Sequence, residues 1–251
     1  MRFCVRLLTK AEPLRLPVHH NRLLQAAIYS RLDRETAKLV HDRGYGDEGR
    51  GFKMFTFSRL MGRYDMDREA GIMRFSGPLR LVISSPMPDF CSSLLTSLLT
   101  QGNLELGGQE VVVEEVQTSQ PRVTRETAVF RTLSPVVVYS TVIKGDGTKY
   151  TCYFQPGEPE FAALLTENLK KKFKVVFGEP PEGTVRVRPL GQPRLSIVKY
   201  AGTVIKGYSG RISIEGPVKL LQIGLDAGVG AKNSQGFGCV ELEEQKAEIK
   251  E

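Results

Sequence analysis

Histidine is scarce in this chain of 251 residues, occurring only as His19, His20 and His41. Cysteine offers no metal clamp either: Cys4, Cys91, Cys152 and Cys239 stand 61 or more residues apart, with no CxxC pair. A zinc site would need ligands gathered from distant parts of the chain, so no metal and no cofactor is expected. The cysteines read as thiols in apolar surroundings. No apolar run approaches 18 residues, which excludes a membrane-spanning helix. The opening MRFCVRLLTKAEP has no unbroken apolar stretch and no small-residue cleavage site, so a first strand is expected there, and a cytoplasmic location. Neither a GxxxxGK[ST] loop nor a strand–GxGxxG–helix fingerprint is present, which disfavours a small-molecule phosphate enzyme.

What is present is ordinary globular composition with uneven charge. Hydrophobic residues at 41% and charged residues at 25% exclude a fully disordered chain. The net charge of +7 is distributed as 16 Lys/Arg against 9 Asp/Glu over residues 1–80 and 8 against 3 over 181–240. Between them, residues 81–180 carry 9 against 11, and the last eleven residues 2 against 5. If the fold joins the two basic regions, they form one surface suited to a polyanion. A solvated basic face of no consequence is the bland alternative.

Element order follows from periodicity. RFCVRLL alternates as a strand, with Phe3 and Val5 on one face. A helix is expected from Asn21, taken as its N-cap, with Leu23, Leu24, Ala27 and Ile28 as its stripe and Tyr29 at the edge. DRETAKLV is a short second helix followed directly by His41, and DRGYGDEGRG is a loop. FKMFTFS reads as a strand with Phe52, Met54 and Thr56 on one face and Lys53, Phe55 and Phe57 on the other. A hairpin through IMRFSGPLRLVISS, a helix in MPDFCSSLLTSLLTQG ended by Gly102, and a closing strand or hairpin complete the ferredoxin-like order β, α, β, β, α, β.

The second half repeats the plan. VFRTLSPVVVYSTV is strand-rich, and a helix runs from about Glu158 to Lys172 with Phe161, Leu164, Leu165 and Leu169 at the helical period. Lysines 170–172 then fall in its last turn, where cations suit the helix dipole. TVRVRPL, RLSIVKYAG, TVIKGY and GRISIEG are four short strands, PVKLLQIGLDAG is a helix, and GFGCVELEE closes the sheet. The expectation is an α+β chain of two tandem ferredoxin-like (RRM-like) domains, 1–118 and 125–246, joined within 117–128.

Two segments suit phosphates. Arg186, Arg188, Arg194, Lys199, Lys206 and Arg211 lie on basic hairpin-like stretches that can follow a sugar-phosphate backbone. GVGAKNSQGFGCV offers a glycine cradle, with Gly230 and Gly236 permitting close approach and Lys232, Asn233, Ser234 and Gln235 as donors. The competing reading of that segment is a tight turn starting the last strand. Tyr208 and Phe237 are candidate stacking residues. RGFKMFTF matches four positions of the RRM RNA-binding octamer (Arg50, Gly51, Phe52, Phe57). Lys53 and Met54 break the match, and it would sit on the second strand instead of the third, so it is read as a coincidence.

Four stretches together, MRFCVRLL, LLQAAIY, the histidine followed by KMFTFSRL, and GVGAKNSQGFGCV before the last strand, resemble the CRISPR-associated endoribonucleases that cut the repeats of precursor CRISPR RNA. The likeness spans residues 1–245 and agrees with the tandem ferredoxin-like order. It implies CRISPR repeat RNA as the partner, with other CRISPR effector subunits and a monomer or homodimer left open. It also implies a metal-independent cut by the 2′-hydroxyl giving 2′,3′-cyclic phosphate and 5′-hydroxyl ends. By motif the catalytic residues fall on Tyr29, His41 and Lys53. His41 and Lys53 are twelve positions apart, more than in the nearest pattern, so the glycine-rich insertion either loops out or displaces His41, with His20 in reserve. The rival functions are a non-cleaving CRISPR RNA-binding protein and a structural subunit of an effector complex.

Overall fold

The computed structural model describes residues 1–10, 13–46, 51–143 and 145–243. The tip of the DRGYGDEGRG segment, including Arg50, and the expected boundary at 246 lie outside them. Strand β1 (Arg2–Thr9) turns Phe3, Val5 and Leu7 fully inward, because alternate side chains of a strand share a face. β2 (Leu14–Pro17) leads into α1 (Asn21–Tyr29), which buries Leu24, Ala27 and Ile28. After α2 (Arg34–Lys38) come β3 (Thr56–Phe57), β4 (Met61–Asp67) and the long β5 (Ile72–Ser84). α3 (Pro88–Gln101) starts with proline, buries Phe90, Cys91, Leu94 and Leu98, and stops at Gly102 in the left-handed region, φ 64°. β6 (Asn103–Leu106) and β7 (Gln109–Ser119) complete this half.

β1 lies between β5 and β7, with Phe3 opposite Ile83, Val5 opposite Leu81 and Leu7 opposite Leu79 on the β5 side. The outer side of β5 carries β3 and β4, so the sheet runs β4–β5–β1–β7, the antiparallel ferredoxin-like arrangement. The second half reproduces it. β8 (Thr127–Thr132), α4 (Pro159–Phe177), β11 (Arg186–Tyr200), β12 (Thr203–Glu215), α5 (Val218–Ala227) and β13 (Val240–Leu242) give the sheet order β11–β12–β8–β13. A separate hairpin, β9 (Val138–Ile143) and β10 (Lys149–Phe154), is inserted between β8 and α4. The fold is therefore two tandem ferredoxin-like modules, as expected, and no helix among the described residues is long and apolar enough to cross a membrane.

Four local expectations change. FKMFTFS is not one strand: Met54 has φ 51°, which breaks the alternation, sends Met54 into the core of the second half and leaves Phe55 and Phe57 in the core of the first. The four short strands after α4 are two long ones, because the Gly191–Pro193 signal is absorbed as a register shift between Leu190 and Arg194 instead of ending the strand. Asn21 does not cap α1; the N-cap position is His20 and the Asn21 amide is used elsewhere. α4 continues to Phe177, so Lys172 is not in its last turn but in its buried face, only 2% exposed.

Candidate active site

The histidine is placed by a short, well-capped helix. Asp33 Oδ1 accepts from the backbone N–H of Glu35 (3.0 Å) and Thr36 (2.9 Å), fixing the start of α2. The chain then widens into a π-helical turn, Leu39–Arg43, a feature often found where a side chain must be presented. Val40 is fully buried and anchors this turn, while the His41 side chain is 78% exposed. His41 Nδ1 lies 2.8 Å from Asp42 Oδ1, and that contact with the ring holds the Asp42 carboxyl below its usual range. A carboxylate only accepts, so Nδ1 carries the hydrogen in this contact.

The described ends of the insertion between His41 and Lys53 are drawn together. Tyr45 and Phe52 exchange backbone hydrogen bonds of 2.7 and 2.8 Å, and Gly51 N–H donates to Arg43 C=O at 3.1 Å, closing a neck. Two glycines are needed there: a Cβ on Gly44 would meet Gly51 O at 2.6 Å, and one on Gly51 would meet Tyr45 O at 2.7 Å. The neck returns Lys53 to His41, whose carbonyl accepts from Lys53 Nζ at 2.6 Å. Tyr29, at the end of α1, stands edge-on to His41 with ring centroids 6.1 Å apart. Phe55 supports it from behind at 5.7 Å and stacks in turn on Phe90 at 4.8 Å. Tyr29, His41 and Lys53 are thus brought together. Burial, with a smaller contribution from Tyr200, pushes the Tyr29 phenol up to about 12, so it is protonated at neutral pH. His20 is a packing residue: it is buried, its Nδ1 is 3.0 Å from Pro17 O, its ring meets Phe75 edge-on, and burial lowers its pKa.

The glycine-rich segment wedges between the modules. Its carbonyls at Gln235 and Gly236 accept from Asn21 Nδ2 (2.9 and 3.2 Å), and Ser234 O accepts from Gln25 Nε2 at 2.7 Å. Tyr200 OH donates to Gln25 Oε1 on the same helix. Thr56 Oγ1 donates to Phe237 O at 3.0 Å, tying the segment to β3. Inside it, the Asn233 amide nitrogen donates to Val229 O and Phe237 O. Lys172 Nζ, buried beneath, donates to Gly228 O (2.7 Å), Gly230 O (2.8 Å) and Asn233 Oδ1 (2.7 Å). Burial pushes that lysine down to about 7. Lys232 takes a left-handed conformation and extends over the Tyr139 ring. Phe237 is fully buried in the core.

Gln25 escaped sequence reasoning, which reads Asn21 and Lys172 as a helix cap and a helix-end charge. The signal for Lys172 was available, since it falls in phase with Phe161, Leu165 and Leu169 on the apolar stripe of α4. Arg186, Arg188, Arg194, Lys199, Lys206 and Arg211 are all exposed on β11 and β12. By register Arg186, Arg188 and Arg211 share the face turned away from the core, where Arg186 pairs with Glu215 and Arg211 with Glu243. Among the described residues no group of three or more His, Cys, Asp or Glu is arranged to hold a metal.

Two ferredoxin-like modules in one chain, with the His41 imidazole, Tyr29 phenol and Lys53 ammonium gathered on the first, define a tandem ferredoxin-like protein. Family comparison is specific: residues 15–117 match the model described as CRISPR-associated protein Cas6, N-terminal, and residues 117–242 the one described as CRISPR associated protein Cas6, C-terminal. The chain belongs to the Cas6 family. It is 29% identical over 235 residues to CRISPR-associated endoribonuclease Cas6 1 of Methanocaldococcus jannaschii, covering 92% of this chain and 89% of the relative. It is 28% identical over 251 residues to CRISPR-associated endoribonuclease Cas6 of Pyrococcus furiosus, covering 98% and 91%. A solved structure titled CRISPR associated protein Cas6 superposes with a TM-score of 0.79 at 27% identity, covering 97% of this chain and 99% of the other.

Proposed function

We propose that this protein is an endoribonuclease that cuts CRISPR repeat RNA without a metal, using the substrate's own 2′-hydroxyl. The 2′-oxygen attacks the adjacent phosphorus in line, the bond to the 5′-oxygen breaks, and the products are a 2′,3′-cyclic phosphate and a 5′-hydroxyl. One proton leaves the 2′-oxygen and one reaches the 5′-oxygen. His41 is the residue to move one of them, since imidazole exchanges protons near neutrality and its Nδ1 is engaged by Asp42. Tyr29 serves as an orienting donor, because burial keeps its phenol protonated. Lys53 supplies positive charge for the phosphorane-like transition state.

The observation that carries this reading is the closure of the Tyr45–Phe52 neck, with the Lys53 ammonium donating to the His41 carbonyl and the His41 ring edge-on to Tyr29. The names of the curated relatives, as endoribonucleases, support it. The modules are proposed as residues 1–118 and 125–246, and the exposed cations of β11 and β12 with Lys232, Ser234 and Gln235 as contacts to the RNA backbone. In the buried parts of the glycine-rich segment, Gly230, Asn233 and Gly236 serve RNA by shaping that surface.

The test is incubation with repeat RNA in a metal chelator. Cutting at one position, blocked by a 2′-deoxy sugar at the link and lost in His41→Ala by about 10²–10⁴-fold with RNA binding retained, is the expected result. Intact RNA held tightly by the wild-type protein would identify a non-cleaving RNA-binding module instead.

A further inference from the structure

An open cavity of about 310 Å³ lies between β9, α4 and the glycine-rich segment. Five consecutive residues, 137–141, form one wall. Consecutive positions mean that the cavity looks onto the edge of β9, since a strand's face would offer every second residue. The opposite edge of β9 is taken by β10, with Val138 opposite Phe154 and Ile143 opposite Lys149. Among the described residues the near edge is covered at Val137, by its parallel bridge to Gly230 and the 2.7 Å bond from Ala231 N–H to Val137 O. Lys232 then turns the chain away with φ 59°. From residue 138 onward the strand edge therefore borders the cavity with backbone donors and acceptors in a fixed array.

The other walls suit a flat, polar-edged ring joined to a phosphate. Phe52 and Tyr139 contribute aromatic surface, and Lys232 Nζ stands 5.2 Å from the Tyr139 centroid. Lys171 on α4 lines the cavity with one carboxylate, Glu167, and Lys232 stands at its border, next in the chain to the lining Ala231. The Asn168 carboxamide oxygen is buried in the same wall with no hydrogen-bond partner. Phe52 immediately precedes Lys53, so the cavity adjoins the acid–base cluster along the chain.

We propose that this cavity receives the base of one unpaired nucleotide of the substrate RNA beside the link being cut. Tyr139 and Phe52 stack on the base, Asn168 and the β9 edge read its polar rim, and Lys171 and Lys232 hold its phosphate. The inference rests on the endoribonuclease reading, and the experiment separates the two. Repeat RNAs carrying a single abasic site at each position around the cut are assayed under single-turnover conditions. The expected result is a slowing of about tenfold or more at one position adjoining the cut. Tyr139→Ala and Asn168→Ala should cut intact RNA at that reduced rate and no longer distinguish the abasic substrate, while Tyr139→Phe retains the preference. If wild-type protein cuts every abasic RNA at the same rate, the cavity has no such role and the endoribonuclease reading stands. If it cuts no RNA, both fall. A readout free of variants is photo-crosslinking from 4-thiouridine at the sensitive position: attachment to residues 137–141 or Phe52 is expected, and attachment confined to other segments overturns the assignment.

Discussion

Lys172 of α4 donates a 2.7 Å hydrogen bond to Asn233 Oδ1 in the core of the glycine-rich segment, from a position only 2% exposed. The same ammonium also donates to Gly228 O and Gly230 O, so one side chain satisfies three acceptors of a segment that has little regular structure of its own. That segment holds α1 through Asn21 and Gln25, and α1 ends at Tyr29. A buried lysine of the second module is thereby connected to the phenol of the first.

Replacing this lysine by methionine keeps the stem and removes the donors. Lys172→Met should lower stability by about 1–3 kcal/mol, the usual cost of leaving buried acceptors unpaired, measured by urea unfolding. The pH dependence has a definite sign. Burial holds the folded-state value near 7, below the ordinary 10.5, so between those values the unfolded chain binds the extra proton and stability rises with pH. The variant should lose that rise relative to wild type over pH 7 to 10.5. Parallel stability curves for the two proteins would contradict it.

For Tyr29 the shift has the opposite consequence. With the phenol pushed up to about 12 from an ordinary 10, the folded chain retains a proton that the unfolded chain releases between those values, so this contribution to stability is lost as pH rises above 10. As an orienting donor it should remain competent through pH 10, and the cleavage rate should show no descending limb near 10 from this residue. Tyr29→Phe should cut about 10- to 100-fold more slowly while binding RNA normally. A tyrosine-dependent limb near pH 8 would indicate a base instead.

Much of this was legible beforehand, and the exceptions share a cause. Phe3, Val5, the α1 stripe and Gly102 announced themselves because their signals are local: alternation, helical period and a left-handed stop. Met54 did not, since a positive φ in a non-glycine residue is imposed by tertiary packing: Met54 is drawn into the second core while Phe55 and Phe57 stay in the first. Lys172 was misassigned to a helix end because charge suggested a dipole contact, whereas its phase on the helix pointed inward. The grouping of Tyr29 with His41 and Lys53 was legible only through family resemblance. Nothing in the spacing of His41 and Lys53 reveals that Tyr45 and Phe52 pair across the insertion.

Gly236 tests the wedge between modules. It has φ 84°, and a Cβ there would meet the Phe57 ring and the Asn21 amide, both at 2.7 Å. Gly236→Val therefore combines backbone strain with a clash against a fully buried ring, and should destabilise the protein by about 2–4 kcal/mol. The milder Asn21→Ala removes only the bonds to Gln235 O and Gly236 O. It should cost about 1 kcal/mol in thermal or urea unfolding. Equal losses for the two would argue against steric wedging.

The neck of the insertion is the most direct test of how His41 and Lys53 meet. A side chain at Gly51 would press on Tyr45 O at 2.7 Å and Arg43 O at 2.8 Å, both backbone atoms that cannot rotate away. Gly51→Val should open the Tyr45–Phe52 pairing and draw Lys53 Nζ from the His41 carbonyl. Because RNA is proposed to lie mainly on β11, β12 and the glycine-rich segment, with only the Phe52 stack disturbed, affinity by equilibrium titration should fall by less than the rate does. The single-turnover rate should fall by about tenfold or more, since a small misplacement of a reacting group carries a cost of that order. Unchanged cutting with a demonstrably opened neck would mean that the two residues do not have to be held together.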